Sequence, residues 1–161
     1  MIEFNPNNRY SKSSADKLEG AAVPLQNIFR ELLHYLDHGI IETERSDEKQ
    51  LELYNSGLSH IKSGGKHNQS PSRAVDFYLW YAPFKTYLTT DQKVLDKITS
   101  ITGSSEEEVR EWIRSMYGMA YALLSLFAQA EGVTIRWGGK WNKHGIIDQE
   151  FDDFFHIELV D

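Results

Sequence analysis

With 161 residues, 40% of them hydrophobic and 25% charged, the chain has the length and balance of one domain built around one core. A formal net charge of -7 weighs against nonspecific nucleic-acid binding, which rests on Lys and Arg meeting phosphates, and against adsorption to an acidic surface. There is no cysteine, so disulfides and thiolate metal sites are excluded and any metal must be held by His, Asp or Glu.

No apolar run approaches the roughly 20 residues needed to cross a bilayer, and stable membrane association is not expected. The N-terminal stretch MIEFNPNNRYSKSS lacks the basic start and apolar core of a secretory signal. The expectation is a protein held in the compartment where it is made until something releases it. Pro24 to His38 reads as a first helix, because Leu25, Ile28, Phe29, Leu32, Leu33 and Leu36 recur at helical spacing and Gly39 offers a stop. Ile40 to Glu44 is a short strand, and Ser46 caps a second helix through Tyr54 that ends near Gly57. The Gly, Ser, Asn and Pro of residues 59 to 73 mark an ordered loop, followed by a strand from Ala74 to Trp80. Thr90 to Ile101 reads as a third helix. A fourth runs from Ser105 to about Glu131, with Glu106, Glu107 and Glu108 at its positive end. Val133 to Trp137 and Phe154 to Val160 complete the strands, on either side of a turn-rich segment, GGKWNKHG. The predicted fold class is α+β, a small and mainly antiparallel sheet packed on helices in one domain over residues 1–161.

Two strands carry the chemistry. In AVDFYLW, Asp76, Tyr78 and Trp80 share the face opposite Val75, Phe77 and Leu79. In FFHIELV, Phe154, His156 and Glu158 oppose Phe155, Ile157 and Leu159. If both aliphatic faces lie on the helices, Asp76 and His156 emerge together, and the glycine-rich loop just upstream brings His67. Two imidazoles and a carboxylate suit zinc, whose catalytic sites take three protein ligands and a water. Such a site lowers the pKa of water and polarises a carbonyl. Asp153, three residues before His156, is near enough to serve as the base, and Arg45 to neutralise charge on a carbonyl oxygen.

The segment KHNQSPSRAVDF resembles the first metal-binding motif of the D-Ala-D-Ala carboxypeptidase-like metallopeptidases, and FDDFFHIEL resembles the second. TERSDEKQLELYNSG is similar to the segment carrying their active-site Arg, and IRWGGKWN to a segment common in the phage endolysin branch. The resemblance implies a hedgehog and D-Ala-D-Ala-peptidase-like fold, with His67, Asp76 and His156 as zinc ligands, Asp153 as base and Arg45 as carbonyl partner. It implies a monomeric zinc endopeptidase acting on the peptidoglycan stem peptide, most naturally at L-Ala–D-Glu. Such an enzyme would be stored in the cytoplasm of a phage-infected host until lysis. The same chemistry on another bond would make a D,D-carboxypeptidase or D-Ala-D-Ala dipeptidase. An inactive zinc-bound structural or wall-binding module is the alternative of another class.

Three departures from the family pattern stand out. The spacing from His67 to Asp76 is two residues longer, so the loop must bulge. Gly65 stands where the family has a substrate-recognising Ser, and Ser72 where it has Gly; the base is Asp153 where many relatives have Glu. Lys140 also stands where endolysin relatives often carry Asp. Other features point to ordinary roles. His34 and His38 read as a solvated helix end, and His60 and His144 as exposed loop residues. Trp112, Met116, Tyr117, Met119, Leu123 and Leu124 form a core stripe. Trp137 and Trp141 are open to either cleft or core. Gly138, Gly139 and Lys140 lack the strand–loop–helix setting of a phosphate loop.

Overall fold

The computed structural model describes residues 5–140 and 153–160. Among them the helices are α1 (Lys12–Glu19), α2 (Val23–Leu33), α3 (Asp47–Asn55), α4 (Gln92–Thr102) and α5 (Glu106–Ala130). The strands are β1 (His38–Glu42), β2 (Ala74–Tyr81), β3 (Thr86–Tyr87), β4 (Ile135–Trp137) and β5 (His156–Leu159). The strands pair antiparallel in the order β1-β2-β5-β4, with β3 added to the far end of β2. The α+β architecture with a small antiparallel sheet is therefore observed.

One face of that sheet is the core. Val75, Phe77 and Leu79 of β2 and Ile157 and Leu159 of β5 meet Leu25, Ile28, Phe29 and Leu32 of α2. Ile113, Tyr117, Ala120 and Leu124 of α5 close the cluster, all essentially without solvent contact. Tyr117 fixes α5 to the sheet with its polar end as well: its hydroxyl donates to Leu88 O (2.8 Å) and accepts from Leu79 N–H (3.0 Å). Helix ends follow their local chemistry. Ser105 and Glu108 form a capping box at the start of α5, and Gly103, at φ 74°, supplies the left-handed residue that ends α4.

Four local expectations are corrected. The polar N-terminal stretch contains α1, capped by Ser11, whose hydroxyl accepts from Ser14 N–H. The first predicted helix stops at Leu33, and His38 opens β1. The helix's last carbonyls bond instead to the N-terminal segment, Asn8 Nδ2 to Leu33 O and Asn5 N–H to His34 O. His38, expected at a solvated helix end, is buried against Phe29 and Phe77. Finally, β5 begins at His156, so the alternation does not extend upstream: Phe154 is in the core and Phe155 is half-buried.

Candidate metal centre and active site

The open face of the sheet carries the site. Asp76 lies mid-sheet, with His156 of β5 directly opposite on one side and Glu42 of β1 on the other. A register irregularity between Ile40 and Glu42 locally re-aims β1 at this point. His67 arrives from a 3-10 turn, Lys66–Asn68, which the segment after β1 holds in place. Arg45 N–H donates to His67 O (2.8 Å), and Asn68 Nδ2 donates to Arg45 O (3.0 Å). The loop then runs on toward β2. There Ser72 is fully buried, its hydroxyl 2.9 Å from both Thr43 O and Ala74 O.

The three expected ligands converge. His67 Nε2 is 3.2 Å from Asp76 Oδ1 and 3.2 Å from His156 Nδ1, and His156 Nδ1 is 2.9 Å from Asp76 Oδ1. The outer ring nitrogens are both occupied. His67 Nδ1–H donates to Thr43 O (2.5 Å), and His156 Nε2–H donates to Glu158 Oε2 (3.1 Å). In neutral imidazoles with those bonds made, both inner nitrogens present lone pairs, aimed at each other and at a carboxylate. Such a group calls for a positive charge among its members, either a proton shared between an imidazole and Asp76 or a metal ion.

In the metal-free group a proton meets that need. Burial alone would lower the His156 pKa, but hydrogen bonds to Asp76 and Glu158 outweigh it, and the imidazole is pushed up to about 10. Burial would raise Asp76, but hydrogen bonds from His156 and His67 hold its carboxyl well below the usual carboxylate range. The donor set fits zinc: tetrahedral ligands with bonds of about 2 Å stand roughly 3.3 Å apart, close to the spacing of these three atoms. A buried His–Asp–His group that could hold a metal ion is thus present.

Asp153 and Arg45 flank this group. Asp153 lines the same cleft, and its carboxyl is pushed up by burial and by the nearby charge of Asp76. Its backbone is seated against Gly138, the first residue of a 3-10 turn that runs to Lys140; a Cβ on Gly138 would come within 2.2 Å of Asp153 O. Arg45 is mostly buried. Its Nε donates to Glu42 Oε2 (2.8 Å) and its Nη1 to Gln50 Oε1 (2.9 Å), while Nη2 contacts Glu42 and lies 3.5 Å from Asp76 Oδ2. A cleft of about 680 Å³ opens from the His–Asp–His group toward α3. Ile41, Leu53, Leu58 and Ile61 give it an apolar side and Lys49, Lys66 and Arg136 basic groups.

The fold resembles that of a bacterial peptidase. The crystal structure of the Serratia marcescens L-Ala D-Glu endopeptidase ChiX superposes with a TM-score of 0.64, covering 96% of this chain and 92% of that one. Identity is 20%, so the likeness is one of fold. No family model and no curated protein matches the sequence.

Two anchors of the ligand imidazoles escaped the sequence reading. Glu158 carried an alternation signal, sharing a face with His156, but nothing in the sequence marked it as the partner of that ring. Thr43 acts through a backbone carbonyl, which leaves no trace in residue type. His34 and the exposed His60 are not members of the ligand group; Trp137 is in the core, its indole N–H donating to Phe154 O (2.9 Å). Trp141 and His144 lie outside the described residues.

Proposed function

We propose that the protein is a zinc-dependent peptidoglycan endopeptidase that hydrolyses an amide of the stem peptide, at L-Ala–D-Glu. The carrying observation is the triangle of Nε2, Nδ1 and Oδ1 donors, with both outer imidazole nitrogens anchored and a second carboxylate, Asp153, on the same cleft. The choice of bond is supported by the fold shared with an L-Ala D-Glu endopeptidase. We read the chain as a single catalytic domain acting as a monomer, of the phage-lysis type.

His67, Asp76 and His156 would hold the ion. When bound, zinc supplies a polarised scissile carbonyl and a water acidic enough to attack near neutral pH. Asp153 accepts the proton from the attacking water as the new C–O bond forms. It returns that proton to the departing amine nitrogen as the C–N bond breaks, freeing the α-amino group of the downstream residue. Asp153 suits this exchange because its raised pKa strengthens it as a base. Arg45, braced by Glu42 and Gln50, offsets negative charge gathering on the carbonyl oxygen. The apolar and basic sides of the cleft fit a peptide that carries both methyl groups and carboxylates.

Mass spectrometry of purified peptidoglycan before and after digestion, with and without a zinc chelator, tests the reading. Expected are fragments with new D-Glu amino ends and sugar-linked L-Ala carboxyl ends, absent when the chelator is present. Release of free D-alanine instead would move the assignment to a D,D-carboxypeptidase. Asp153→Ala is expected to retain stoichiometric zinc while losing about 10²- to 10⁴-fold in rate; His67→Ala should lose both. Full hydrolysis by a folded Asp153→Ala protein would rule out the base.

A further inference from the structure

The open face of β2 does not stop at the ligand group. Beyond Asp76, every second residue on that face is aromatic: Tyr78, then Trp80, both half-buried. Tyr87 of β3 stands opposite Trp80 in register. The rings touch in sequence, Tyr78 to Tyr87 at 6.5 Å between centroids and Tyr87 to Trp80 at 5.0 Å. Tyr87 remains 42% exposed. The neighbouring strand makes room for it: Gly39 is paired with Tyr78, and a Cβ there would lie 3.0 Å from the Tyr87 hydroxyl. Beside Trp80 and Tyr87 is a second recess of about 250 Å³, with Arg9, Ser11 and Asp37 in its wall. Apolar ring faces next to hydroxyl, carboxylate and guanidinium groups match a pyranose, whose C–H side packs on π faces and whose rim of hydroxyls needs polar partners.

Position relates the row to the scissile amide. At roughly 3.3 Å per strand residue, Tyr78 and Trp80 lie about 7 and 13 Å along β2 from Asp76. In a stem peptide cut after its first residue, one residue and a lactyl group separate the scissile amide from the sugar ring, also about 7 Å when extended. The larger cleft spreads from Asp76 toward β1 and α3 and across β5 to Arg136, and its lining includes none of the three rings, whereas the aromatic row leaves Asp76 along β2. We infer that Tyr78, Trp80 and Tyr87 form a glycan subsite for the β-1,4-linked N-acetylhexosamine strand, so that the sugar side of the substrate lies on the aromatic row and the peptide side in the larger cleft. This rests on the hydrolase reading for its substrate but on its own residues for binding. It makes the protein an enzyme of sugar-bearing peptides in preference to free ones.

The test has two arms on the full chain. The first is an NMR titration with a soluble N-acetylglucosamine tetramer, which carries no peptide. Shifts are expected at the Trp80 indole N–H and at the Gly39 and Tyr87 amides, and Trp80→Ala and Tyr87→Ala should each weaken binding at least tenfold. Tyr87→Ala guards against a folding defect, since that ring is largely at the surface. The second arm compares kcat/KM on an L-Ala–D-Glu peptide with and without an N-acetylmuramyl group. The wild type should prefer the sugar-bearing form, and both variants should bring the ratio toward one. Shifts confined to other surfaces, or both variants binding the tetramer as the wild type does, overturn the subsite. Equal cleavage of both substrates without tetramer binding sinks the subsite and leaves the hydrolase standing. Tetramer binding at these rings with neither peptide cleaved upholds the glycan surface and sinks the hydrolase.

Discussion

At the scale of single residues, the direction in which each imidazole presents its lone pair is set by a partner on the far side of the ring. For His156 that partner is Glu158, itself held by Arg136, whose Nε donates to Glu158 Oε1 (3.0 Å). A carboxylate behind a ligating imidazole fixes its tautomer and raises its basicity, and losing such a partner typically costs about 10- to 100-fold in metal affinity. Glu158→Gln is therefore expected to weaken zinc binding by about that factor, read by competition with a chromophoric chelator, while the circular dichroism of the fold is retained. Unchanged affinity would show that Glu158 serves only its ion pair with Arg136. His67, Asp76 and His156 were legible in the sequence through their residue types, the shared face of Asp76 and His156, and the resemblance of the two motifs that carry them. Glu158 and the Thr43 carbonyl were not, because their role exists only once two strands and a loop are in contact.

At the scale of elements, the turn Gly138–Lys140 and the entry to β5 are built against each other. Asp153 can reach the cleft because its carbonyl passes where a side chain on Gly138 would be. Gly138→Ala is expected to destabilise by about 1–3 kcal/mol through overpacking. It should also displace Asp153, so activity should fall further than the stability loss alone explains. Denaturant midpoints paired with rates at a temperature where the variant is fully folded would separate the two effects, and wild-type rates there would refute the coupling. The same scale explains the misread boundaries. Leu36 continues the apolar spacing of α2 because it packs on the core from the following turn, and periodicity registers burial whether or not the helix persists. Helix α1 was invisible to it because only Ser14 and Leu18 of its residues are buried.

Across the whole molecule, one buried histidine couples stability to acidity. His38 donates from Nδ1 to Leu36 O (2.8 Å), and its Nε2 lies 2.6 Å from the Tyr10 hydroxyl, enclosed by Phe29 and Phe77. Burial lowers its pKa from 6.5 to about 4. The unfolded chain therefore binds a proton below about pH 6.5 that the folded chain refuses until about pH 4. Stability from this residue is complete above the unfolded value and is lost as pH falls through that window. At 1.36 kcal/mol per unit, the gap amounts to about 3 kcal/mol. Urea midpoints taken between neutral and about pH 4 should fall more steeply for the wild type than for His38→Phe; parallel curves would remove His38 from the account.

Composition, periodicity and alternation by themselves determined the α+β class, most of the helices and strands and the core face of β2, and they made His67, Asp76 and His156 candidates that the motif resemblance singled out. Each of these is a property of side-chain type at a fixed local spacing, which the chain carries before it folds. Tertiary structure alone decided that β2 lies between β1 and β5, which puts Asp76 between Glu42 and His156. It also decided that His38 is sealed in the core, that Asp153 rests on Gly138, and that Tyr87 joins the row beyond Asp76. Those are contacts between segments far apart in the chain, set by which apolar faces close on one another, and no local pattern of residues encodes them.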